Sequence, residues 1–237
     1  MVSVLSQTFP PYEYIILDGA STDKTVEIAN SFKDRFLAKG VNFKVISEPD
    51  RGLFDAMSKA VSLVTGEWLH YLNSDDWYHD STVLEQFREV LQKSRADVVY
   101  GDIVIVNAED GRVLGLKKTK PDNQIKRFLR RGCAIPQPAT FYRTTVFNKD
   151  RLFDLSLPVS ADWEYFLYVA ERGAVFEYHP VALTNFLFGD GNSTTNALRT
   201  VKDDIRIHVR YRAFNRKFIW RIVVFLRIKL QGLIKKL

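Results

Sequence analysis

The 237-residue sequence has one cysteine, Cys133, so it cannot form an internal disulfide bond. It also lacks any apolar run of the roughly 18–20 residues that a membrane-spanning helix needs, although 46% of its residues are hydrophobic. No signal-peptide pattern opens it. These absences count against a disulfide-stapled secreted scaffold and an integral membrane protein, and they predict a cytoplasmic chain with a core of its own.

Acidic residues are scarce at the C-terminal end of the chain. Residues 202–237 contain eleven Lys and Arg against Asp203 and Asp204, a net charge of +9, whereas the whole chain carries +6. The first 201 residues are therefore slightly acidic, which argues against a nucleic-acid-binding protein. The explanation for the basic charge must lie in the tail.

The first half of the sequence alternates short apolar runs with amphipathic segments. The pattern predicts strands at 14–17, 43–49, 67–73 and 96–107, and helices at 25–36, 55–66 and 82–94. Beyond residue 110 the pattern loosens, with a helix at 162–173, late strands, and helix after 196. Such alternation predicts an α/β fold with a Rossmann-like, mostly parallel sheet and flanking helices. We expect one domain over residues 1–196 and a helical basic tail over 197–237.

Acidic residues follow three of the predicted strands. Asp18 follows the first strand, Asp50 the second, and the adjacent Asp75 and Asp76 the third. Ligands of open parallel sheets gather at the carboxyl ends of strands. A single such Asp is commonly a helix cap, but the set suits Mg²⁺ or Mn²⁺, which prefer oxygen ligands and also bind substrate phosphates. For Asp75 and Asp76, whose like charges repel, a divalent cation and a solvated turn both remain open.

Three stretches of the sequence resemble one known family. They are IILDGASTDKT, SEPDRGLFDAMSKAVSLVTGEWLHYLNSDDWY and SADWEYFLYVAERG. In this order and spacing they are similar to the family-2, inverting, nucleotide-sugar glycosyltransferases of the GT-A fold, most of all the bacterial branch that builds cell-surface polysaccharides. The resemblance covers about residues 3–195. It implies a nucleotide-sugar donor, a divalent metal ion, and a carbohydrate or lipid-linked acceptor.

The resemblance also implies roles for residues on the donor side. Asp18 matches the family's contact to the nucleotide base, and Asp23 matches the second acid of that loop. The residues Asn73 to Asp75 match the Asp-x-Asp motif, whose last acid binds the metal that bridges the diphosphate. Asn73 replaces the first acid, which keeps a hydrogen bond to ribose but removes one negative charge. Asp75, helped by Asp76, is then the expected metal ligand.

Two further assignments concern the second acidic turn and the helix at 162–173. Asp50 and Arg51 are expected to contact the nucleotide sugar, although Arg51 is equally compatible with a solvated surface charge. Asp162 matches the family's catalytic base, a carboxylate that takes the proton from the acceptor hydroxyl as that oxygen attacks the anomeric carbon. The alternative for Asp162 is that it only caps its helix.

The basic tail is amphipathic. Basic residues occupy much of one side of the predicted helix, and an apolar stripe occupies the other; the stripe comprises Ile219, Ile222, Val223, Leu226, Leu230, Leu233 and Leu237. A helix of this kind is typical of attachment to an anionic membrane surface, which predicts a location at the inner face of the cell membrane. Docking of the stripe on the protein's own core is the alternative.

The beginning of the sequence departs from the family pattern. The family starts with an apolar strand and a helix before the segment that here reads SVLSQTFPPYEYIILDG. The chain as given begins inside that helix, so we expect a sheet without one central strand and an incomplete pocket for the base. A non-catalytic remnant that binds a nucleotide or a partner protein is therefore the alternative function.

Overall fold

The computed structural model describes residues 1–148, 151–189 and 197–234. Its helices are α1 (Val2–Leu5), α2 (Thr25–Ser31), α3 (Lys33–Ala38), α4 (Leu53–Leu63), α5 (Val83–Lys93), α6 (Ile125–Leu129), α7 (Ala161–Glu171), α8 (Ala197–Arg210) and α9 (Arg216–Ile234). Its strands are β1 (Glu13–Asp18), β2 (Asn42–Ser47), β3 (Trp68–His70), β4 (Trp77–Tyr78), β5 (Val98–Asn107), β6 (Val113–Lys117), β7 (Thr140–Arg143) and β8 (Phe176–Phe188).

Two helical stretches are divided where the sequence pattern predicts continuous helix. The helix expected at 25–36 is split into α2 and α3 at Phe32, whose N–H donates to the carbonyl of Ala29 at 3.2 Å in a tightened turn. The C-terminal helix is split into α8 and α9, because Asn215 caps the second segment. Its Oδ1 accepts from the amides of Lys217 at 2.9 Å and Phe218 at 3.2 Å.

The predicted α/β fold is confirmed, and the larger sheet is mixed. β1 pairs with β2 and β5 pairs with β8 in parallel, but four pairings are antiparallel: β3 with β7, β4 with β8, and β5 with β6 and β7. The larger sheet is mixed because β6 returns on β5 as a hairpin, and because β7 lies beside β5 in the opposite direction. The α/β class itself holds, with helices on both faces.

The core forms on both faces of β5, which lies inside the larger sheet. Val98 and Tyr100 face one apolar cluster, which includes residues of α7 and Ile207 of α8. Val99 and Ile103 face a second cluster, which includes residues of α3 and α5. Alternate side chains of a strand point to opposite faces, so β5 connects the two clusters. Helix α8 therefore packs as part of the same core as α7.

A gap separates the two sheets of the molecule. β1 has one described neighbour, β2, and β3 has one, β7. The residues of β1 and β3 line a shared cavity of about 610 Å³, together with apolar side chains of α4 such as Met57. The apolar run Tyr14–Leu17 is typical of a strand buried on both faces and paired on both edges. Here one of its edges borders the cavity.

The open edge of β1 makes hydrogen exchange a direct test of this arrangement. We expect about half of the amides in Glu13–Asp18 to exchange quickly, because alternate N–H groups of a strand point to opposite edges. The amides of Val98–Tyr100, in a strand with neighbours on both edges, should exchange slowly. Residue-resolved NMR exchange on the folded chain gives both rates. Uniform protection along β1 at the level of β5 would contradict the open edge.

Candidate functional site

Asp18 ends β1 as a buried carboxylate held by hydroxyl and amide donors. Its Oδ2 accepts hydrogen bonds from the amide of Ser21 at 2.9 Å and from Oγ of Ser47 at 2.6 Å. Bonds from Ser21 and Ser47 stabilise the charged form and hold the pKa of Asp18 below its usual value. Asp18 is therefore ionised at neutral pH. Sequence reasoning missed Ser47, whose only signal is its position at the end of β2.

Asp50 lies against the turn that follows Asp18. A Cβ built on Gly19 would be 2.8 Å from Oδ2 of Asp50, so only glycine fits there without a shift. The amide of Gly52 donates to Oδ1 of Asp50 at 2.8 Å. The structure thus brings together two of the predicted site residues, Asp18 and Asp50, at the carboxyl ends of neighbouring parallel strands.

Asp23 and Arg51 have local structural partners. The exposed carboxylate of Asp23 accepts from the amide of Thr25 at 2.9 Å, at the start of α2. The guanidinium of Arg51 donates to Oδ1 of Asp55 at 2.7 Å across the first turn of α4. Asp55 is buried, whereas the Arg51 side chain is 76% exposed. In this conformation the Arg51 guanidinium is bound to Asp55, while Asp23 remains open to solvent.

The adjacent acids Asp75 and Asp76 point in different directions. Asp76 is buried, and its carboxylate accepts from Nδ2 of Asn73 at 2.8 Å and from the amide of Leu187 at 3.2 Å. Burial raises the pKa of Asp76 to about 6, opposed by the Asn73 hydrogen bond and assisted by the charge of Asp75. Asp75 is exposed. Asp76 thus lies against β8 and Asp75 faces solvent, an arrangement that reduces the repulsion between the two carboxylates.

The cavity between the two sheets reaches this side of the site. Its lining includes Asp50 and Asn73, with Ser74 beside them. Asp162 is not among its lining residues. The cavity thus connects the second and third acidic turns, whereas Asp162 lies outside its lining.

In the turn Asn73–Asp76, the exposed carboxylate that could bind a metal ion is that of Asp75. The described residues contain no group of three or more His, Cys, Asp or Glu side chains able to hold one. Mg²⁺ in particular is commonly bound by one or two carboxylates together with water and substrate phosphates. Asp75 fits that kind of site as its protein ligand. Asp76 fits it less well, because both of its oxygens already accept hydrogen bonds.

Asp162 is the second residue of α7, two positions after the cap position. The cap position is Ser160, and no side-chain cap bond is present there. Burial raises the pKa of Asp162 to about 6; backbone amides at the start of the helix and the charge of Lys117 oppose the shift, and the charge of Asp204 adds to it. The result is a carboxylate that is ionised at pH 7 and poised to accept a proton near neutrality.

The surroundings of Asp162 are fixed from two sides. Nε1 of Trp163 donates to the carbonyl of Leu129 at 2.7 Å, which holds α6 against α7. Asp203 on α8 accepts from the amide of Val159 at 2.9 Å, just before α7 begins. Glu164 is fully buried and belongs to the core. Helices α6 and α8 therefore position the turn that carries Asp162.

Comparison with known sequences shows which family the chain is similar to. A sequence profile described as "Glycosyl transferase family 2" matches residues 1–150. A PGL/p-HBAD biosynthesis glycosyltransferase of Mycobacterium bovis (strain BCG / Pasteur 1173P2) is 31% identical over 166 residues, which cover 69% of this chain and 60% of that protein. The chain thus matches less than two thirds of the length of this curated relative.

Comparison with solved structures agrees on the fold. S. aureus TarS 1–349, in complex with UDP-GlcNAc, has a TM-score of 0.67 at 17% sequence identity, covering 94% of this chain and 65% of that one. Mannosyltransferase PcManGT from Pyrobaculum calidifontis, in complex with GDP-Man and Mn²⁺, has a TM-score of 0.64 at 14% identity, covering 91% and 59%. At these identities the likeness shows the fold alone, which is that of the GT-A glycosyltransferases. The profile match, over more than half of the chain, shows that this protein belongs to glycosyl transferase family 2.

Proposed function

We propose that the chain transfers a sugar, with inversion, from a nucleotide-diphosphate donor to a carbohydrate or lipid-linked acceptor during the assembly of a cell-surface polysaccharide or glycolipid. The observation that carries this proposal is a carboxylate with a pKa near 6, Asp162, in a chain of the glycosyltransferase family. The mycobacterial relative is named for glycolipid biosynthesis, and both neighbouring structures contain a nucleotide sugar.

The donor would occupy the edge where Asp18, Asp50 and the turn at Asn73–Asp75 meet. Asp18, ionised and held by Ser21 and Ser47, can accept hydrogen bonds from a nucleotide base. Asn73 can hydrogen-bond a ribose, although its amide now donates to Asp76. The cavity that reaches Asp50 and Asn73 gives an apolar wall for the flat base.

A divalent metal ion, Mg²⁺ or Mn²⁺, would be held by Asp75 and the donor's diphosphate. When bound, such an ion stabilises the negative charge that develops on the departing nucleotide. The Mn²⁺ in the archaeal mannosyltransferase complex supports this choice of ion. Asp75 provides the outward carboxylate, and Asp76 supports the turn from inside through the amide of Leu187.

The transfer itself needs one proton to move. The acceptor hydroxyl oxygen forms a bond to the anomeric carbon as the bond from that carbon to the diphosphate oxygen breaks, and the hydroxyl proton passes to Asp162. A base whose pKa is near 6 is ionised at pH 7 and still basic enough to take a proton as the hydroxyl becomes acidic in the transition state. Because α6 and α8 fix its turn, little reorganisation is needed for this step.

We further propose that α9 attaches the protein to an anionic membrane surface on the cytoplasmic side. Ile219, Val223, Leu226 and Leu230 lie on one face and are each more than half exposed. The opposite side docks on α8, where Nε of Arg221 is 2.6 Å from Oδ2 of Asp204. The side chain of Leu233 and all of Leu237 lie outside the described residues. None of the described helices is both long and apolar enough to cross a bilayer.

The energetics favour reversible attachment. Each large aliphatic side chain contributes about 1.5–3 kcal/mol if fully buried, and partial immersion lowers that value. Each nearby Lys or Arg adds about 1 kcal/mol on an anionic surface, a contribution that salt weakens. Arg216, Lys217 and Arg227 are exposed on this helix, so both contributions are available to α9.

The metal assignment can be tested by replacing Asp75 with Asn. We expect Asp75→Asn to abolish Mn²⁺-dependent binding of a nucleoside diphosphate, because the main protein ligand is lost, while the melting temperature stays unchanged. Asp76→Asn should weaken binding less. Asp34→Asn, which removes the same charge from an exposed site on α3, serves as the control. The assignment would be wrong if calorimetry in Mn²⁺ gave the same affinity for the nucleoside diphosphate in Asp75→Asn and in the parent.

The role of Asp162 can be tested by the pH dependence of two properties. Transfer by the parent should rise with pH through an apparent pKa near 6, and Asp162→Asn should lower transfer by roughly 10²–10⁴-fold with donor binding retained. A carboxyl group whose pKa is raised by folding starts to destabilise the folded state as pH rises above its unfolded pKa, about 4, and the full cost is reached above its folded pKa, here about 6. Asp162→Asn should therefore melt higher than the parent at pH 7, and the difference should vanish below about pH 4.

Glu27→Gln, an exposed change on α2, is the control for both measurements. Parental transfer rates in Asp162→Asn would show that this carboxylate is not the base. Nucleotide binding by a parent that transfers no sugar to any acceptor would instead favour the non-catalytic binding module.

Membrane attachment can be tested by flotation with vesicles that contain phosphatidylglycerol. Deleting residues 216–237 should release the protein, because both the apolar stripe and its basic residues are lost. Leu226→Ser/Leu230→Ser should weaken flotation even in high salt, where charge contributes little. Ile28→Ser/Leu37→Ser removes comparably exposed side chains from α2 and α3 and should float like the parent. Undiminished flotation of both tail variants would rule the attachment out.

A further inference from the structure

A group of exposed basic side chains lies on segments that pack near the start of α7, which carries Asp162. Three segments carry them, and in the described part of the chain none forms a salt bridge. All are exposed. We call them the basic rim, which comprises Lys117, Lys118, Lys126, Arg127, Arg131, Arg216 and Lys217.

The first segment of the basic rim is held firmly on β5. Buried Asp102 accepts from the amide of Thr119 at 2.7 Å, and the Thr119 hydroxyl donates to the carbonyl of Gly101 at 2.7 Å. The hydroxyl of Tyr100 donates to the carbonyl of Lys120 at 2.8 Å. The side chains of Lys117 and Lys118 therefore extend from a backbone that hydrogen bonds hold in place, and not from a solvated loop.

The other two segments are bound to each other and to α7. Trp163 on α7 holds the end of α6 through the carbonyl of Leu129. Nδ2 of Asn215 donates to the carbonyl of Arg130 at 3.0 Å, which attaches the start of α9 to the end of α6. The basic side chains of residues 126–131 and 216–217 therefore lie on α6 and α9, which are bound to each other and lie beside α7.

Two lysines of the basic rim come close to the turn that carries Asp162. Lys117 is near enough for its charge to act on the Asp162 carboxyl. Nζ of Lys217 is 3.9 Å from the position that a Cβ on Gly132 would take. The charge of Lys217 lowers the pKa of Asp204, and the charge of Asp204 raises the pKa of Asp162. Lys117 and Lys217 therefore belong to the surroundings of Asp162, although the residues of the basic rim come from three distant parts of the sequence.

Cations on neighbouring segments repel one another, and an anion bound between them would offset that repulsion. The donor does not require them, because its diphosphate has its own candidate site at Asp75 with a divalent cation. Lysine is a common phosphate ligand, and arginine matches phosphate with two parallel hydrogen bonds. We propose that the basic rim binds a phosphate group of the acceptor and so brings the acceptor hydroxyl to Asp162. This inference rests on the proposed transferase function and names its acceptor class as phosphate-bearing.

Two sources could supply such a phosphate: a phosphate-linked polymer or the diphosphate of a lipid-linked acceptor. A short inorganic polyphosphate is the probe for the first source, and farnesyl diphosphate is the probe for the second. Binding of each to the full chain is measured by calorimetry without nucleotide or metal. The test variant is Lys117→Gln/Lys217→Gln. The control is Lys39→Gln/Lys44→Gln, which removes the same charge from exposed sites on the far side of β2.

We expect the test variant to bind at least one probe about tenfold more weakly than the parent, the effect of losing two exposed charge contacts. The control variant should bind both probes as the parent does. The probe that is weakened identifies the source of the phosphate. Equal affinities in test variant and parent for both probes, or the same loss in the control, would overturn the proposal. Mn²⁺-dependent nucleotide binding by the parent is measured separately, and its failure would count against the donor site alone.

Discussion

The placement of carboxylates in partly buried surroundings is the constraint on which this site depends. A carboxylate removed from water must gain donors or become easier to protonate. Asp18 gains donors from Ser21 and Ser47 and stays ionised. Asp76 and Asp162 are compensated less, so their pKa values rise to about 6. One physical rule thus produces a permanent anion at Asp18 and, at Asp162, a carboxylate whose pKa is closer to neutrality.

Charge is unevenly distributed over the molecule. Acidic residues follow the ends of strands at Asp18, Asp50 and the Asn73–Asp76 turn, whereas lysines and arginines are concentrated in the tail. Helix α8 joins the start of α7 to α9: Asp203 holds the backbone before α7, and Asp204 pairs with Arg221 of α9. A helix proposed to lie on the membrane is therefore joined by two contacts to the turn that carries Asp162.

Local sequence patterns predicted the elements well where neighbouring residues decide them. The periodicity up to Asn107 located the longer strands and helices to within a few residues, apart from the break at Phe32, but it missed the short elements α1 and β4. Beyond that point pairing is decided by residues far apart, such as the ladder between β5 and β8, and the sequence pattern did not predict the antiparallel strands. The action of the Lys117 charge on Asp162 and of the Lys217 charge on Asp204 could not be predicted either, because a hundred residues separate the two lysines.

The sequence by itself determined which residues are available: Asp18, the Asn73–Asp76 turn, and Asp162 at the start of a helix, in the order that marks the family. Only the tertiary structure decided what each does. Asp76 turns inward because the amide of Leu187, 111 residues away, donates to it, and Asp75 is left outward. The pKa of Asp162 rises because its carboxyl is buried in the folded chain. Burial and hydrogen-bond geometry depend on contacts between distant segments, and no local pattern encodes them.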